Sequence, residues 1–301
     1  MVQLKKSVFF SLLGAMAIWA MSFIWSKMAL EVYSPIAVIF LRLIVSTVLI
    51  FLFLIISNQL QPIQKGDIKW FILLSVFEPF LYFIGENFGL QLISTTLASV
   101  IISTIPLFVP ILAFFVLKER ISVMNIVGIV ISISGVLMMV VDKNFTLNAP
   151  LNGILLMGLA VFSATFYGLL LKHLSHRYSG YSIVAYQNIG GIVYFLPLFI
   201  FMEWDGVMVA NHSFKALLAI LLLAVFASTI AFVLYTHGVR QIGVTRSSAF
   251  VNLIPVLTAI FAWSLLDEVI GWQKIIGILI VISGLFASQY KRNTTDDVRS
   301  F

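Results

Sequence analysis

Ten apolar stretches, each about as long as a lipid bilayer is thick, follow one another along this chain. A helix needs about 20 apolar residues to cross the hydrocarbon core of a membrane. Ten stretches meet that length: Ser7–Ala29, Ile36–Ser57, Ile68–Phe88, Thr95–Leu117, Ser122–Val141, Asn152–Lys172, Ser182–Phe201, Phe214–His237, Ser247–Leu266 and Trp272–Tyr290. Only 10% of the 301 residues are charged, whereas soluble domains average about 25%. The sequence therefore predicts an all-α integral membrane protein with ten transmembrane helices and no soluble domain.

The basic residues indicate which way the chain enters the membrane. The N-terminus, alternate connections and the C-terminus hold thirteen of them: Lys5, Lys6, Lys65, Lys69, Lys118, Arg120, Lys172, Arg177, Arg240, Arg246, Lys291, Arg292 and Arg299. The opposite connections hold only Lys143, Lys215 and Lys274. Lys and Arg accumulate in cytoplasmic loops, so we expect a multi-pass protein of the plasma membrane with both termini in the cytoplasm. The net charge of +6 then needs no nucleic acid partner to explain it.

The second half of the chain repeats the first. The segment TIPLFVPILAFFVLKERISVMNIVGIVISISGV, which begins at Thr104, aligns without a gap with LIPVLTAIFAWSLLDEVIGWQKIIGILIVISGL, which begins 149 residues later. The alignment pairs residues that are rarely matched by chance: Pro106 with Pro255, Glu119 with Glu268, Gly128 with Gly277, and Ser134-Gly135 with Ser283-Gly284. Five spans per half is an odd number, so the second half would enter the membrane inverted. Inverted repeats are typical of secondary transporters with a site near the bilayer midplane.

The repeated pattern of SxxxxxxP, a glutamate at the following connection and GxxxxxxG resembles the EamA branch of the drug/metabolite transporter superfamily. The resemblance extends over essentially the whole chain, with AIWAMSF from Ala17 and AVIFLR, which ends at Arg42, matching the first two helices. It implies two inverted five-helix repeats, at 1–146 and 147–290, followed by a cytoplasmic tail at 291–301. It also implies a transporter, often an exporter of amino acids, related metabolites or toxic compounds.

Two carboxylates stand in the third apolar stretch. Glu78, Tyr82 and Glu86 follow one another at intervals of four residues, which places them on a slowly drifting stripe of one helix. Ionisable residues inside spans generally mark a functional site. One interpretation is that Glu78, near mid-membrane, faces a watery cavity and binds a substrate amine or a proton. The alternatives are a structural pair with Arg42 and, for Glu86, simple solvation at the outer mouth.

Two basic residues also lie in or near spans. Arg42 could orient a substrate carboxylate or tie helices together, since its guanidinium forks onto carboxylates in either setting. Lys27 is expected to extend to the outer interface, as long basic side chains near helix ends do. A role for Lys27 as a ligand is the alternative.

Prolines and polar residues of the repeated segments form a second group of candidates. Pro106 and Pro255 would each free a backbone carbonyl and produce a kink or a hinge. Asn252 repeats Ser103, and Ser248 repeats Ser99. Their polar groups could contact a ligand or bond to a neighbouring helix. Ser99, Ser103 and Asn252 are retained as substrate-binding candidates.

Candidates in the remaining helices are amides and aromatic rings. Gln187 and Asn188 would need buried partners, which a cavity or a neighbouring helix can supply. Tyr235 repeats Glu86 in the second half. Trp19, Phe23 and Tyr167 present aromatic faces on the first helix of each half, and such faces in a site favour cations.

The helices that contain Gly128–Gly135 and Gly277–Gly284 are interpreted as packing elements, and the family resemblance implies that they lie at the periphery. A dimer contact is possible there, so the chain is expected to be a monomer or a homodimer. The repeated Glu119 and Glu268 could serve as a helix cap or gate contact, or belong to a solvated charge cluster.

These residues predict a secondary transporter of a small metabolite, working by alternating access with possible proton coupling at Glu78. A multidrug or toxic-cation efflux carrier is the alternative, and a channel is a further one. The chain has no cysteine, no metal-ligand spacing, no nucleophile elbow and no Walker motif. An enzyme, a metal site and a cofactor are therefore not predicted, and the expected partners are a small substrate and the lipid bilayer.

Overall fold

A computed structural model describes residues 6–117, 123–141, 149–209 and 212–289. Glu119 and the tail at 291–301 lie outside this part of the chain. The α-helices α1 to α15 comprise Lys6–Leu30, Pro35–Ile56, Ile68–Ser75, Tyr82–Leu92, Thr95–Ile102, Ile105–Leu117, Val123–Val140, Leu151–Ser175, Gly180–Met202, Trp204–Val209, Phe214–Leu222, Phe232–Ile242, Val244–Ser248, Ile254–Leu265 and Trp272–Gln289. Two π-helical segments, Val76–Leu81 and Leu223–Ala231, and two 3₁₀ turns, Lys65–Asp67 and Ala249–Leu253, join some of these helices.

The helical stretches coincide with the apolar runs of the sequence. Within the described ranges, seven of them are long and apolar enough to cross a membrane: Lys6–Leu30, Pro35–Ile56, Lys65–Leu92, Leu151–Ser175, Gly180–Met202, Phe214–Ile242 and Val244–Leu265. Shorter apolar helices occupy Thr95–Val109, Ile126–Val140 and Trp272–Ala287. The prediction of an all-α protein built of apolar helices is confirmed. The count of ten membrane crossings stays a prediction.

Serine residues define where four of the helices begin. The side-chain oxygen of each accepts a hydrogen bond of 3.1–3.3 Å from the backbone N–H three residues later, at Ser34, Ser94, Ser179 and Ser213. The first N–H groups of a helix have no partner within the helix, and a serine at this position supplies one. These serines therefore start helices at the points where the apolar runs resume.

The two halves of the chain contain the same succession of helices. The end of α1 at Leu30 and the end of α8 at Ser175 are 145 residues apart. The starts of α5, α6 and α7 precede the starts of α13, α14 and α15 by 149 residues each. Both π-helical segments also fall at corresponding places, directly before α4 and α12. The sequence repeat is thus accompanied by a repeat of the helix boundaries.

Helices α7 and α15 pack against each other through their glycine faces. A side chain added at Gly284 would meet Ser132 N at 2.6 Å and Gly128 O at 2.7 Å, and one added at Gly135 would meet Gly277 O at 2.9 Å. Ser132 Oγ donates to the carbonyl of Val281 across this contact, at 3.1 Å. The small residues serve close packing within the chain, so these faces are not free for a dimer contact.

A polar cluster ties the two halves together near the α2–α3 connection. Asp67, which is buried, accepts hydrogen bonds from Arg177 Nη1 at 2.9 Å and from Tyr178 Oη at 2.9 Å. Tyr178 Oη in turn accepts from Gln64 N at 3.0 Å. Burial raises the pKa of the Tyr178 phenol, so it remains protonated and able to donate to the carboxylate near neutral pH.

Candidate functional site

The third apolar stretch is helical on both sides of Glu78 but not at Glu78 itself. The residue has φ −147° and ψ 118° inside the segment Val76–Leu81, an extended conformation in an otherwise helical run. Pro79, which follows, has no N–H to donate to the preceding turn. Glu78 is 5% exposed. The local sequence Glu-Pro thus breaks the helix at the acidic residue.

A cavity lies between helices of both halves, directly at this break. The cavity has a volume of about 60 Å³. The surrounding side chains belong to both halves of the chain: Trp19, Ser22, Phe23, Arg42, Glu78, Tyr82, Phe83, Glu86, Ile102, Ile105, Ala164, Tyr167, Phe232, Tyr235, Val251 and Ile254. Eight of the thirteen candidates from the sequence are in this set, namely Trp19, Phe23, Arg42, Glu78, Tyr82, Glu86, Tyr167 and Tyr235.

Half of the residues around the cavity are repeat mates of one another. They form four pairs separated by 149 residues: Phe83 with Phe232, Glu86 with Tyr235, Ile102 with Val251, and Ile105 with Ile254. Equivalent positions of the two halves therefore face each other across the cavity. The two halves differ in charge at one of these pairs, because the position of the Glu86 carboxylate is occupied in the second half by the phenol of Tyr235.

The two carboxylates of the cavity have different surroundings. Glu86, also 5% exposed, accepts hydrogen bonds from Tyr82 Oη at 3.2 Å and from Asn87 Nδ2 at 3.5 Å. Solvation at the outer mouth does not describe this residue, because it is buried. Among the described residues, none donates a hydrogen bond to Glu78. Glu78 is the carboxylate that remains free to bind a ligand or a proton.

Arg42 is buried in the cavity wall with one end of its guanidinium free. Nε donates to Ser228 Oγ at 2.8 Å, and the guanidinium carbon lies 4.2 Å from the centre of the Phe83 ring. Nη1 is buried without a hydrogen-bond partner. Within the described ranges no carboxylate comes within 4.0 Å of Arg42. The proposed ion pair of Arg42 with Glu78 or Glu86 is therefore not formed in this conformation.

Aromatic side chains form another part of the cavity wall. The Trp19 ring lies 5.2 Å from Phe232 and 5.1 Å from Tyr235, centre to centre. Tyr167 Oη donates to Gln187 Oε1 at 3.1 Å. Gln187 thus acts on the cavity through Tyr167 and does not line it. This wall is suited to the apolar or cationic portion of a ligand, since aromatic faces attract both.

Four other candidates are satisfied or placed elsewhere. Ser99 and Ser103 donate to carbonyls of their own helix, Thr96 O and Val100 O. Asn188 Nδ2 donates to Ser46 Oγ at 2.7 Å, a contact between helices α9 and α2. Asn252 is buried, its Oδ1 has no partner, and it lies outside the cavity wall.

The two repeated prolines lie at helix breaks, as the sequence predicts. Helix α5 ends at Ile102 and α6 begins at Ile105, with Pro106 in its first turn. Pro255 follows the 3₁₀ turn Ala249–Leu253 in the same way. Cavity residues sit directly beside each proline, Ile105 and Ile254. Both breaks are therefore positioned to change the cavity if the helices bend there.

Sequence reasoning missed Ser228, which binds Arg42, and several residues of the cavity wall. Ser228, the partner of Arg42 Nε, is the repeat mate of Pro79, 149 residues later. Phe83 and Phe232 are another repeat pair that contributes to the cavity. The 149-residue offset from Pro79, the neighbour of Glu78, could have identified Ser228, whereas nothing in the sequence distinguishes Phe83 and Phe232 from other apolar side chains.

Comparisons with known proteins show the family and the fold of this chain. A sequence model of the EamA-like transporter family matches residues 6–141 and again 151–289. An uncharacterized transporter of Bacillus subtilis, YetK, is 28% identical over 98% of this chain and 91% of its own length. An uncharacterized transporter of Archaeoglobus fulgidus is 26% identical over 91% of this chain and 95% of its own length. A crystal structure of a protein 15% identical in sequence shares the fold, with a TM-score of 0.70 over 95% of this chain and 97% of the other.

Proposed function

The chain belongs to the EamA-like transporter family, and from that premise we propose that it exports a small metabolite, an amino acid or a related compound. Its family makes it a membrane transporter of the drug/metabolite type and not an enzyme. The observation that carries the proposal is the cavity between the two halves. Free cationic and acidic groups, Arg42 Nη1 and the Glu78 carboxyl, both belong to its wall.

We propose that the ten apolar stretches cross the membrane as two inverted five-helix repeats. The recurrence of helix boundaries 145 to 149 residues apart and the paired cavity positions support this topology. Two antiparallel copies of one bundle around a shared site can exchange their two conformations, which are related by a pseudo-two-fold axis in the membrane plane. Alternating access follows, with the cavity reaching one side of the plasma membrane and then the other. The distribution of Lys and Arg supports placing both termini in the cytoplasm.

The polar groups of the cavity suit a zwitterion. Arg42 presents an unpartnered Nη1, and a guanidinium binds carboxylates through two donors. Glu78 presents an unpartnered carboxyl, which can bind an ammonium group. An α-amino acid carries both complementary groups, and the aromatic wall beside Trp19 and Phe232 would receive its side chain. The cavity, at about 60 Å³, is far smaller than the roughly 300–1,000 Å³ of ordinary ligand pockets, so the helices must move apart to admit such a substrate.

Glu78 is also the group that we assign to proton coupling. An ionised carboxylate buried without a partner is unfavourable, so Glu78 is stable when it carries a proton or when it faces a cation. A substrate amine and a proton would then compete for the same carboxyl. Exchange of one for the other would couple export to proton entry.

Counterflow in proteoliposomes tests the proposal. A radiolabelled amino acid should accumulate in vesicles preloaded with the same unlabelled compound, and Glu78→Gln should abolish the pH dependence of this uptake. The control is Glu31→Gln, since Glu31 forms an exposed ion pair with Lys215 at 3.2 Å and is remote from the cavity. Uptake by Glu78→Gln with an unchanged rate and pH profile would remove Glu78 from the mechanism.

Efflux of toxic cations is the second candidate function. The aromatic wall formed by Trp19, Phe232 and Tyr235 is the observation that favours it, because flat organic cations bind such faces. A thermal-shift screen of the purified protein against amino acids and organic cations separates the two functions. Stabilisation by cations without a carboxylate, and by no amino acid, would favour the second.

A further inference from the structure

Lys27 connects two of the helices that line the cavity, at a point one helical turn beyond the cavity itself. Lys27 Nζ, from α1, donates to Leu90 O at 2.6 Å and to Ile93 O at 3.5 Å. Carbonyls at the C-terminal end of a helix lack partners within the helix and carry partial negative charge. Lys27 therefore binds the end of α4. Lys27 lies four residues after the cavity residue Phe23, and Leu90 lies four residues after the cavity residue Glu86. The contact therefore joins two helices that line the cavity.

Glu268, from the second half of the chain, binds the other side of the turn between α4 and α5. Thr96 N, in the first turn of α5, donates to Glu268 Oε2 at 3.4 Å. Glu268 Oε1 accepts from Lys274 Nζ at 3.0 Å. The turn between α4 and α5 is thus bound by Lys27 from one side and by Glu268 from the other. Glu268 is a helix cap and a contact between halves, and not a member of a solvated cluster.

The second half of the chain has an equivalent lysine, but that lysine does not form the equivalent contact in the structure. Lys172 follows Lys27 by 145 residues, the same offset that relates the ends of α1 and α8 and the capping serines Ser34 and Ser179. The carbonyls equivalent to those of Leu90 and Ile93 belong to Val239 and Ile242 of α12. The Lys172 side chain is exposed, and it donates to neither of these carbonyls.

We propose that Lys27 and Lys172 are the gate residues of opposite ends of the cavity and that each engages when its own end closes. This inference rests on the proposed transport function and topology. In the present conformation Lys27 is engaged, so the end of the cavity that we assign to the outside is closed. At the opposite end of the cavity Lys172 is not engaged. The alternate state would break the Lys27 contacts and bring Lys172 to the end of α12.

Cysteine labelling measures which end is open without a known substrate. The chain has no cysteine, so Ser22→Cys provides a single thiol in the cavity wall. A membrane-impermeant maleimide is applied to intact cells and, separately, to inside-out vesicles, and the two labelling rates are compared as a ratio. Lys27→Met should raise the outside-to-inside ratio roughly tenfold, because hydrogen bonds to a charged group are lost from one state only. Lys172→Met should lower it.

Controls separate a gate from a general loss of structure. Lys215→Met removes an outer lysine whose ion pair is exposed, and its ratio should equal that of the Ser22→Cys parent. Lys27→Arg keeps the donors and should restore the parent ratio. The proposal would be overturned if Lys27→Met and Lys215→Met gave equal labelling ratios. It would also be overturned if Lys172→Met shifted the ratio in the same direction as Lys27→Met. Counterflow by the natural chain, without the Ser22→Cys change, together with unshifted labelling would overturn the gate alone. Shifted labelling without counterflow of any amino acid by the natural chain would overturn the proposed substrate alone.

Discussion

Arg42 lies over the face of Phe83, with its guanidinium carbon 4.2 Å from the ring centre. The ring and the hydrogen bond from Nε to Ser228 Oγ hold the flat guanidinium in one orientation. Its unpartnered Nη1 is thereby fixed relative to the cavity. A ring face and a hydroxyl together position this cation without neutralising it, which leaves its charge available to a ligand.

Replacement of Arg42 by lysine is the first prediction. Lysine keeps the charge but has no planar fork, so it cannot bond to Ser228 and bind a carboxylate with two donors at once. We expect Arg42→Lys to weaken the binding of amino acids by about tenfold or more, measured by thermal shift and by concentration-dependent counterflow. Phe83→Leu serves as a comparison and should weaken binding less. An unchanged amino-acid affinity in Arg42→Lys would contradict a carboxylate subsite.

The second prediction concerns orientation. Gln59, in the α2–α3 connection, and Asp205, in α10, are both exposed and belong to connections that we place on opposite sides of the membrane. In intact cells Asp205→Cys should react with an impermeant maleimide, and Gln59→Cys should react only after permeabilisation. The reverse pattern would contradict the orientation inferred from the basic residues, and labelling of both in intact cells would contradict the topology.

The third prediction tests the contact between α7 and α15. A methyl group at Gly284 would meet Ser132 N at 2.6 Å and Gly128 O at 2.7 Å, backbone atoms that cannot turn aside. We expect Gly284→Ala to lower the free energy of unfolding by about 1–3 kcal/mol, observed as a lower melting temperature in detergent.

Gly158, in the middle of α8, is the matched control for that change. A methyl group there meets no atom within 4 Å, and alanine favours a helix by up to about 1 kcal/mol relative to glycine. Gly158→Ala should therefore leave the melting temperature unchanged or raise it. Equal effects of the two substitutions would show that helix propensity, and not the α7–α15 contact, determines the result.

The helices could be predicted from the sequence because lipid imposes a simple requirement on them. A crossing helix must be apolar over its whole length, so the runs alone locate it. The breaks were also predictable where a proline marks them, as at Pro106 and Pro255. The second π-helical segment, Leu223–Ala231, contains no proline, and only its relation to the first, around Pro79, could have indicated it.

The cavity was predictable in its ionisable residues and in five of its aromatic ones, Trp19, Phe23, Tyr82, Tyr167 and Tyr235. Glu78, Glu86 and Arg42 stand out because charge is costly in lipid, and the structure brings all three to one wall. Phe83 and Ile102 could not be recognised, since an apolar side chain suits a cavity wall, a helix contact and lipid equally. Ser99 and Ser103 were selected for their hydroxyls, but a helix can satisfy a hydroxyl with its own carbonyls, and the sequence carries no sign of this.

The last prediction links helix packing to the candidate site through Gly191 of α9. A methyl group at this position would collide with Pro79 Cγ and lie 3.0 Å from Leu43 Cδ1, and these residues directly follow Glu78 and Arg42. The proline ring cannot turn away as a flexible side chain would, so Gly191→Ala should displace the segment that carries Glu78. We expect counterflow to fall by about tenfold, the factor equivalent to 1.4 kcal/mol, while Gly158→Ala transports normally. Transport by Gly191→Ala at the rate of Gly158→Ala would show that the position of Glu78 tolerates this shift, and would weaken the case for a substrate or proton site there.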